Sequence, residues 1–149
     1  MTKVLIVCLG NICRSPMAEG LMQKDLAEHA MAITVDSAGT SSWEKGNQPH
    51  PGTQKVLQAH GIDSSQMFSR QVTKSDFVEY DWILAMDRQN LADLKAIAPK
   101  ELQYKLHLFL SVLPELKSED VPDPWYTGDF NETQALILQA LPKWRVVFE

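Results

Sequence analysis

Residues Cys8 to Ser15 read Cys-Leu-Gly-Asn-Ile-Cys-Arg-Ser, directly behind the apolar run Val4 to Val7 and directly ahead of Pro16. A short run with Val and Ile, bounded by a loop, suits a strand buried on both faces. Ser15-Pro16 reads as the N-cap and first position of a helix, along which Ala18, Leu21, Met22 and Leu26 recur at helical spacing to about Ala30. The chain must therefore turn from a buried strand into a helix through a loop that carries a thiol and a guanidinium. Gly10 and Asn11 tolerate positive φ, which lets successive backbone N–H groups point inward, and the helix adds its positive end to the same hollow. Such a hollow suits a phosphate-sized dianion, with the Cys8 thiol at its floor.

A free cysteine titrates near ~8.5, and nucleophilic cysteines in electropositive sites fall to about 3.5 to 7.5. A drop of roughly three units is about 4 kcal/mol. A helix end supplies about 0.3 to 1 kcal/mol, and up to about 2 when partly buried. The remainder has to come from converging amides, the Ser15 hydroxyl and the permanently charged Arg14, whose planar fork matches two phosphate oxygens.

The rest of the chain repeats the alternation of strand and helix. Ile33-Thr34-Val35 resumes strand composition before Ser37-Ala38-Gly39, then Gly46, Pro49, Pro51 and Gly52 mark a long loop, and Val56 to His60 ends a helix at Gly61. Trp82 to Met86 is a third strand, Asp87 the N-cap of a helix that runs to Pro99, and Leu106 to Leu110 a fourth strand. Pro114 to Gly128 reads as a loop and Asn131 to about Leu141 as a helix, with Pro142 arguing against its continuation. At 149 residues the chain has the usual length of one domain. The pattern predicts an α/β fold over residues 1–149: a single-domain, three-layer arrangement with a four-stranded parallel sheet and helices on both faces. Ligands in such sheets bind outside the carboxyl ends of the strands. Cys8 ends the first strand, Ser37 falls just past the second and Asp87 just past the third, so one rim gathers all three.

Composition narrows the class of partner. The net charge is −5, and no basic cluster is dense enough to track a nucleic-acid backbone. No apolar stretch approaches the ~20 residues that span a bilayer. Met1-Thr2-Lys3 leads straight into the first strand, where cleavage of a leader would destroy the loop. Cys8 and Cys13, the 2 cysteines, share that loop and cannot form a structural framework of disulfides. A cytoplasmic monomer is expected, with no nucleic-acid or membrane partner and no metal or other cofactor.

The spacing Cys-x5-Arg-Ser resembles that of the protein tyrosine phosphatases, and the full string from Cys8 to Ser15 is similar to the low-molecular-weight family. Pro122-Asp123-Pro124-Trp125-Tyr126, Asp36-Ser37-Ala38-Gly39, Ser69-Arg70-Gln71 and Ile83-Leu84-Ala85-Met86-Asp87 extend the resemblance over nearly the whole chain. It implies hydrolysis of phosphotyrosine, in tyrosine-phosphorylated proteins or small aryl phosphates, through a cysteinyl-phosphate intermediate. Cys8 would accept the phosphoryl group, Arg14 clamp it, and Asp123 serve as general acid and then base. Expelling a phenolate, whose conjugate acid has a pKa of ~10, benefits from such an acid. Leu9, Gly10, Asn11, Ile12, Cys13 and Ser15 would complete the phosphate loop, with Ser15 supporting the thiolate and Asn11 and Ser37 bracing the loop. Ile12, Trp43, Trp125 and Tyr126 would wall a slot for the phenyl ring. Cys13 reads either as a small buried hydrophobe or as the redox partner of Cys8 in reversible oxidation.

Some members of the family place a His shortly before the Arg-Gln pair, where this chain has Met67-Phe68; His29, His50, His60 and His107 match no part of the motif. Three rival readings keep the loop. Arsenate reductases on the same scaffold need further cysteines downstream, and Cys13 is the last one here. Protein-arginine phosphatases carry Thr where Ile12 stands. A non-catalytic phosphate-binding module would keep Arg14 but has no use for Cys8 and Asp123 together.

Overall fold

Met1–Glu149 are described by a computed structural model. In chain order the elements are β1 (Thr2–Cys8), α1 (Arg14–Glu28), β2 (Ile33–Gly39), α2 (Pro51–Ala59), α3 (Lys74–Glu79), β3 (Trp82–Ala85), α4 (Arg88–Ile97), β4 (Leu106–Leu108), α5 (Pro124–Thr127) and α6 (Phe130–Phe148), with short 3₁₀ turns between α4 and α5. The four strands form one parallel sheet in the order β2-β1-β3-β4. Val4, Leu5, Ile6 and Val7 are fully buried, and each such side chain contributes about 1.5–3 kcal/mol. That burial sets the unbroken apolar strand in the middle and leaves the three-residue β4 and β2, with its exposed Thr34, at the edges.

Helices α1, α2 and α6 cover the face that carries Val4, Ile6 and Leu84; α3 and α4 cover the face of Leu5, Val7, Ile83 and Ala85. The chain leaves β1 for its neighbour over the first face and leaves β3 over the second. The two connections diverge at the carboxyl ends of β1 and β3 and open the crevice in which parallel sheets bind ligands. No helix is long and apolar enough to cross a membrane.

The predicted α/β class, parallel sheet and two helical layers are present; several local expectations are corrected. Ser15 is not an N-cap: the helix begins at Arg14 behind Cys13, which gives no side-chain cap, and the Ser15 hydroxyl is occupied elsewhere. Ser37 lies within a strand rather than past it, because Ser37, Ala38 and Gly39 pair with Ile6, Val7 and Cys8. The loop expected around Pro51 and Gly52 is already helix, with Pro51 at the first position and the His50 side chain as cap. The fourth strand stops at Leu108, where Phe109 opens a 3₁₀ turn. The 114–128 segment also contains a one-turn helix, α5, capped by Asp123.

Helix α3 had no counterpart in the sequence reading. Its signal was a capping box between Thr73 and Asp76, whose carboxylate also takes Arg70 in a two-pronged ion pair. α6 runs through Pro142 to Phe148. The proline sits on the exposed side, while Ile137, Ala140, Leu141 and Trp144 face the core and the Trp144 indole donates to Phe109 O at 2.9 Å. That packing outweighs the ~3 kcal/mol that a helix-interior proline costs.

Gly39, at the end of β2, is where the sheet meets the 8–15 loop. A Cβ there would stand 2.7 Å from Leu9 O and 3.2 Å from the Asn11 Cβ. The backbone cannot retreat, since Gly39 N donates to Arg70 O and Gly39 O accepts from Val72 N, both at 2.8 Å. Gly39→Ala should destabilise by about 1–3 kcal/mol, a fall in melting temperature of roughly 2–12 °C for a chain of this size. An unchanged melting curve would mean that the loop has room to move.

Candidate active site

The loop that follows β1 is shaped by where its carbonyls go. Cys8 O accepts from Thr40 N (2.9 Å), Leu9 O from Ser41 N (3.0 Å), and Ile12 O from His50 N (2.8 Å). Gly10 O accepts from the Ser69 hydroxyl at 2.8 Å and Cys13 O from the Thr53 hydroxyl at 2.9 Å. Five carbonyls are thus drawn outward by residues of β2, α2 and the segments beside them. The amides of Gly10, Ile12 and Cys13 donate to no group of the protein and are left for the hollow. Asn11 makes the turn with φ 57°, a conformation that Asn adopts more readily than most residues.

Cys8 Sγ stands at the floor, 3.2 Å from the Asn11 amide that donates to it and 3.1 Å from Ser15 Oγ. Asn11 Nδ2 donates to Ser15 Oγ at 2.7 Å and to Ser37 Oγ at 2.9 Å. All four residues are buried, so Asn11, Ser15 and Ser37 form an interior brace behind the loop. Cys13 is buried too. Burial first, then the negative charges of Cys8 and Asp123, push its thiol up to about 12, so it stays a neutral thiol beside the reactive sulfur.

Arg14 is almost fully buried, and the fold supplies its counter-charges. Nη1 donates to Asp87 Oδ2 at 2.7 Å and to Val121 O at 2.9 Å, while Nη2 reaches Asp123 Oδ2 at 3.3 Å. Burial alone would lower its pKa; the Cys8 sulfur, in its ionised form, and the Asp87 and Asp123 carboxylates hold it above the ordinary value. Nε is buried without a partner in the protein. A buried, unmatched guanidinium N–H in an amide-lined hollow is a donor waiting for an anion's oxygen. Asp123 itself caps α5 through Oδ1, which accepts from Trp125 N at 3.1 Å. Its segment is tied down just before it, at Val121 and Asp120: Val121 N donates to Met86 O at 2.8 Å, and Asp120 accepts from the Arg88 amide and side chain.

The hollow opens into a pocket of about 160 Å³ lined by Cys8, Leu9, Gly10, Ile12, Cys13 and Arg14 below and by Trp43, Glu44, Asp123, Trp125 and Tyr126 above. Every residue predicted for the site is therefore brought to it, with Asn11, Ser15 and Ser37 behind the loop. Trp43, Trp125 and Tyr126 are largely exposed and stand as the walls of the mouth. No group of three or more His, Cys, Asp or Glu side chains comes together as a set of metal ligands.

His50, Glu44 and Glu19, at or behind the site, carry no role in the sequence reading, and Asp87 carries a second one. Asp87 is the helix cap that the sequence predicts, with Oδ1 accepting from Asn90 N at 2.6 Å, and its second oxygen holds Arg14. His50 backs the mouth, stacked on Phe130 at 4.9 Å and edge-on to Trp125 at 5.8 Å. Glu44 adds a carboxylate to the wall, and Glu19 accepts the Ser37 hydroxyl at 2.5 Å. The site partners of Asp87, His50 and Glu19 lie far away in sequence, so no local spacing points to these roles.

Comparison with known proteins agrees with this geometry. Residues 3–147 match the family described as low molecular weight phosphotyrosine protein phosphatase. The low molecular weight protein-tyrosine-phosphatase YfkJ of Bacillus subtilis is 42% identical over 139 residues, covering 92% of this chain and 89% of that protein. PtpA of Staphylococcus aureus, of the same description, is 41% identical over 141 residues, with 94% and 89% covered. Among solved structures, YfkJ gives a TM-score of 0.94 at 40% identity over 99% of this chain and 94% of the other. The drosophila arginine phosphatase DARP gives 0.92 at 31% identity, with 99% and 98% covered. The chain belongs to the low-molecular-weight protein-tyrosine-phosphatase family, and it is a hydrolase.

Asp87→Asn separates the two tasks of that residue, because the amide oxygen can still cap α4 while its NH₂ group faces the guanidinium. A charge-assisted hydrogen bond is worth about 1.5–3 kcal/mol, so kcat/KM for p-nitrophenyl phosphate should fall roughly 10- to 100-fold with the melting temperature little changed. Full activity in the variant would show that Arg14 is held without Asp87.

Proposed function

We propose that residues 1–149 act as one cytoplasmic, monomeric domain that hydrolyses phosphotyrosine in proteins or small aryl phosphates through a cysteinyl-phosphate intermediate on Cys8. The observation that carries this reading is the convergence on one pocket of the Cys8 sulfur, three unmatched loop amides, the unpaired Nε of Arg14 and the Asp123 carboxyl. A cytoplasmic site is supported by the two cysteines, which are free thiols in one loop.

The phosphate dianion takes the loop amides and the Arg14 guanidinium, which then turns from Asp123 toward the equatorial oxygens. With the guanidinium turned away, the Asp123 carboxyl at the rim of the pocket is free to face the aryl oxygen. The Cys8 thiolate attacks phosphorus in line with the aryl oxygen. The S–P bond forms as the P–O bond breaks, and Asp123 gives its proton to the departing phenolate. In the second step the Asp123 carboxylate takes a proton from water as the water oxygen attacks phosphorus. Inorganic phosphate leaves and the thiolate returns, accepting again from Ser15 and the Asn11 amide.

The ring of the substrate is held between Ile12 and the aromatic walls Trp43, Trp125 and Tyr126, contacts worth about 0.5–1.5 kcal/mol per aromatic pair beyond burial. These flat apolar faces favour a phenyl ring over the polar arm of phosphoarginine, and Ile12 brings no hydroxyl to the rim. We assign Cys13 the role of resolving thiol: its sulfur displaces water from a sulfenic acid formed by peroxide on Cys8, closing a disulfide that thiols reopen.

The role of Asp123 is tested through the leaving group. Asp123→Asn should lower kcat by about 10²- to 10⁴-fold with alkyl-substituted phenyl phosphates and far less with p-nitrophenyl phosphate, whose phenolate needs little help. An equal loss across the series would reduce Asp123 to a cap of α5.

A further inference from the structure

The brace behind the loop has a direction, which follows from counting hydrogens. Asn11 Oδ1 accepts from Arg70 N at 3.1 Å, so the other end of the amide is the NH₂ group. Its two hydrogens go to Ser15 Oγ at 2.7 Å and Ser37 Oγ at 2.9 Å. Each hydroxyl, having accepted one hydrogen, has one left to give. Ser15 gives to Cys8 Sγ at 3.1 Å, and Ser37 gives to Glu19 Oε1 at 2.5 Å. The chain of bonds thus runs outward from Asn11 to a sulfur at one end and a carboxyl oxygen at the other.

Glu19 lies one turn after Ser15 on α1 and forms no ion pair. Its Oε2 accepts from Gln23 Nε2 at 3.2 Å, and the second hydrogen of that amide goes to Val35 O at 2.8 Å. The charged groups around it are Asp36 of β2 and Arg70, whose guanidinium is engaged by Asp76 at 2.9 Å and approaches Asp36 at 3.6 Å. Glu19 opens on a cleft of about 200 Å³ behind the loop, away from the catalytic pocket.

We propose that Glu19 is a positioning residue for the nucleophile: by accepting the Ser37 proton it holds both Asn11 hydrogens outward and leaves the Ser15 hydroxyl no acceptor but Cys8. Without an oxygen at that place, the Ser37 hydroxyl turns to the other acceptor of the brace, Asn11 Oδ1. An amide that rotates to meet it takes its hydrogen from Ser15, and the O–H···S donation to the thiolate is lost. The inference rests on the reading of Cys8 as nucleophile.

The relay needs an acceptor oxygen, not a charge. Burial pushes Glu19 up to about 7, with the Asp36 carboxylate adding to the rise and the Ser37 and Gln23 hydrogen bonds opposing it. The proton it takes up near neutral pH goes to Oε2, on the longer bond, and Oε1 goes on accepting from Ser37. Glu19→Gln therefore preserves the relay, whereas Glu19→Met, of similar length and good helix propensity, removes it.

The test is the rate at which iodoacetamide alkylates Cys8 at pH 6, located by peptide mass, in folded protein with its melting temperature recorded. Glu19→Met should slow Cys8 alkylation about tenfold and move its pH profile upward, while Glu19→Gln stays within about twofold of the unmodified protein. Ser37→Val, which cuts the same relay from β2, should give a similar loss and keep the test available if Glu19→Met does not fold; the two changes combined should lose no more than either alone. A role through charge predicts the opposite sign in the part of the pH profile above about 7, where Glu19 is ionised: removing that anion favours the thiolate and speeds alkylation there in both Glu19 variants. Faster or unchanged alkylation in Glu19→Met overturns the proposal. If Cys8 is not the fast-reacting thiol of the unmodified protein, the fault lies instead with its assignment as nucleophile.

Discussion

Backbone amides that donate to nothing in the protein are costly in an interior, and here three of them stand together in one short loop. They persist because five of the six carbonyls from Cys8 to Cys13 have a partner on the outside: Thr40, Ser41, His50, Thr53 and Ser69 each donate one of the five bonds. These anchors come from the end of β2, the start of α2 and the segment before α3. Remove them and the peptide planes are free to turn their N–H groups back into the fold. Much of the chain beyond the loop therefore serves to keep five oxygens facing away from the sulfur, and the anion site is what remains inside.

The second demand is electrical. An almost fully buried guanidinium needs counter-charge, and Asp87 and Asp123 supply it with different permanence. Asp87 is fixed by its cap on α4 and by the sheet before it, so its contact with Arg14 is structural. The contact from Asp123 is longer, 3.3 Å against 2.7 Å, and comes from a one-turn helix at the rim. That asymmetry suits a pair that must part. A phosphate dianion replaces Asp123 on Arg14 and leaves Asp87 in place, so the clamp keeps its aim while the acid is released for proton transfer.

Much of this was legible in the residues. Val4 to Val7 with no polar member had to be a central strand, and the glycine, asparagine and arginine behind it had to be a loop for an anion. The alternation of strands and helices carried the class of fold. What escaped depended on partners distant in sequence. Ser15-Pro16 looks like a cap to any local rule, but the hydroxyl is drawn to Cys8, and the helix starts two residues earlier, at Arg14, without a side-chain cap. Pro142 reads as a stop until Trp144 is seen packed against Trp82 of β3 and Phe109. Asp87 and Glu19 look like an ordinary cap and an ordinary helix-surface acid, because Arg14 and Ser37 reach them only after the sheet has formed. α3 is the exception: the Thr73 to Asp76 box was local and visible, in a helix of one and a half turns with little periodicity to mark it.

The central claim is that the sulfur at the floor of this loop is the atom that receives the phosphoryl group. Quenching the unmodified protein in mid-turnover of an aryl phosphate and locating the added phosphoryl group by peptide mass spectrometry tests it most directly. The account predicts a phosphorylated peptide that contains Cys8, with the group on its sulfur, and no such species in Cys8→Ser. A phosphoryl group carried by Cys13, Ser15 or any other residue, or undiminished turnover in Cys8→Ser, would contradict it.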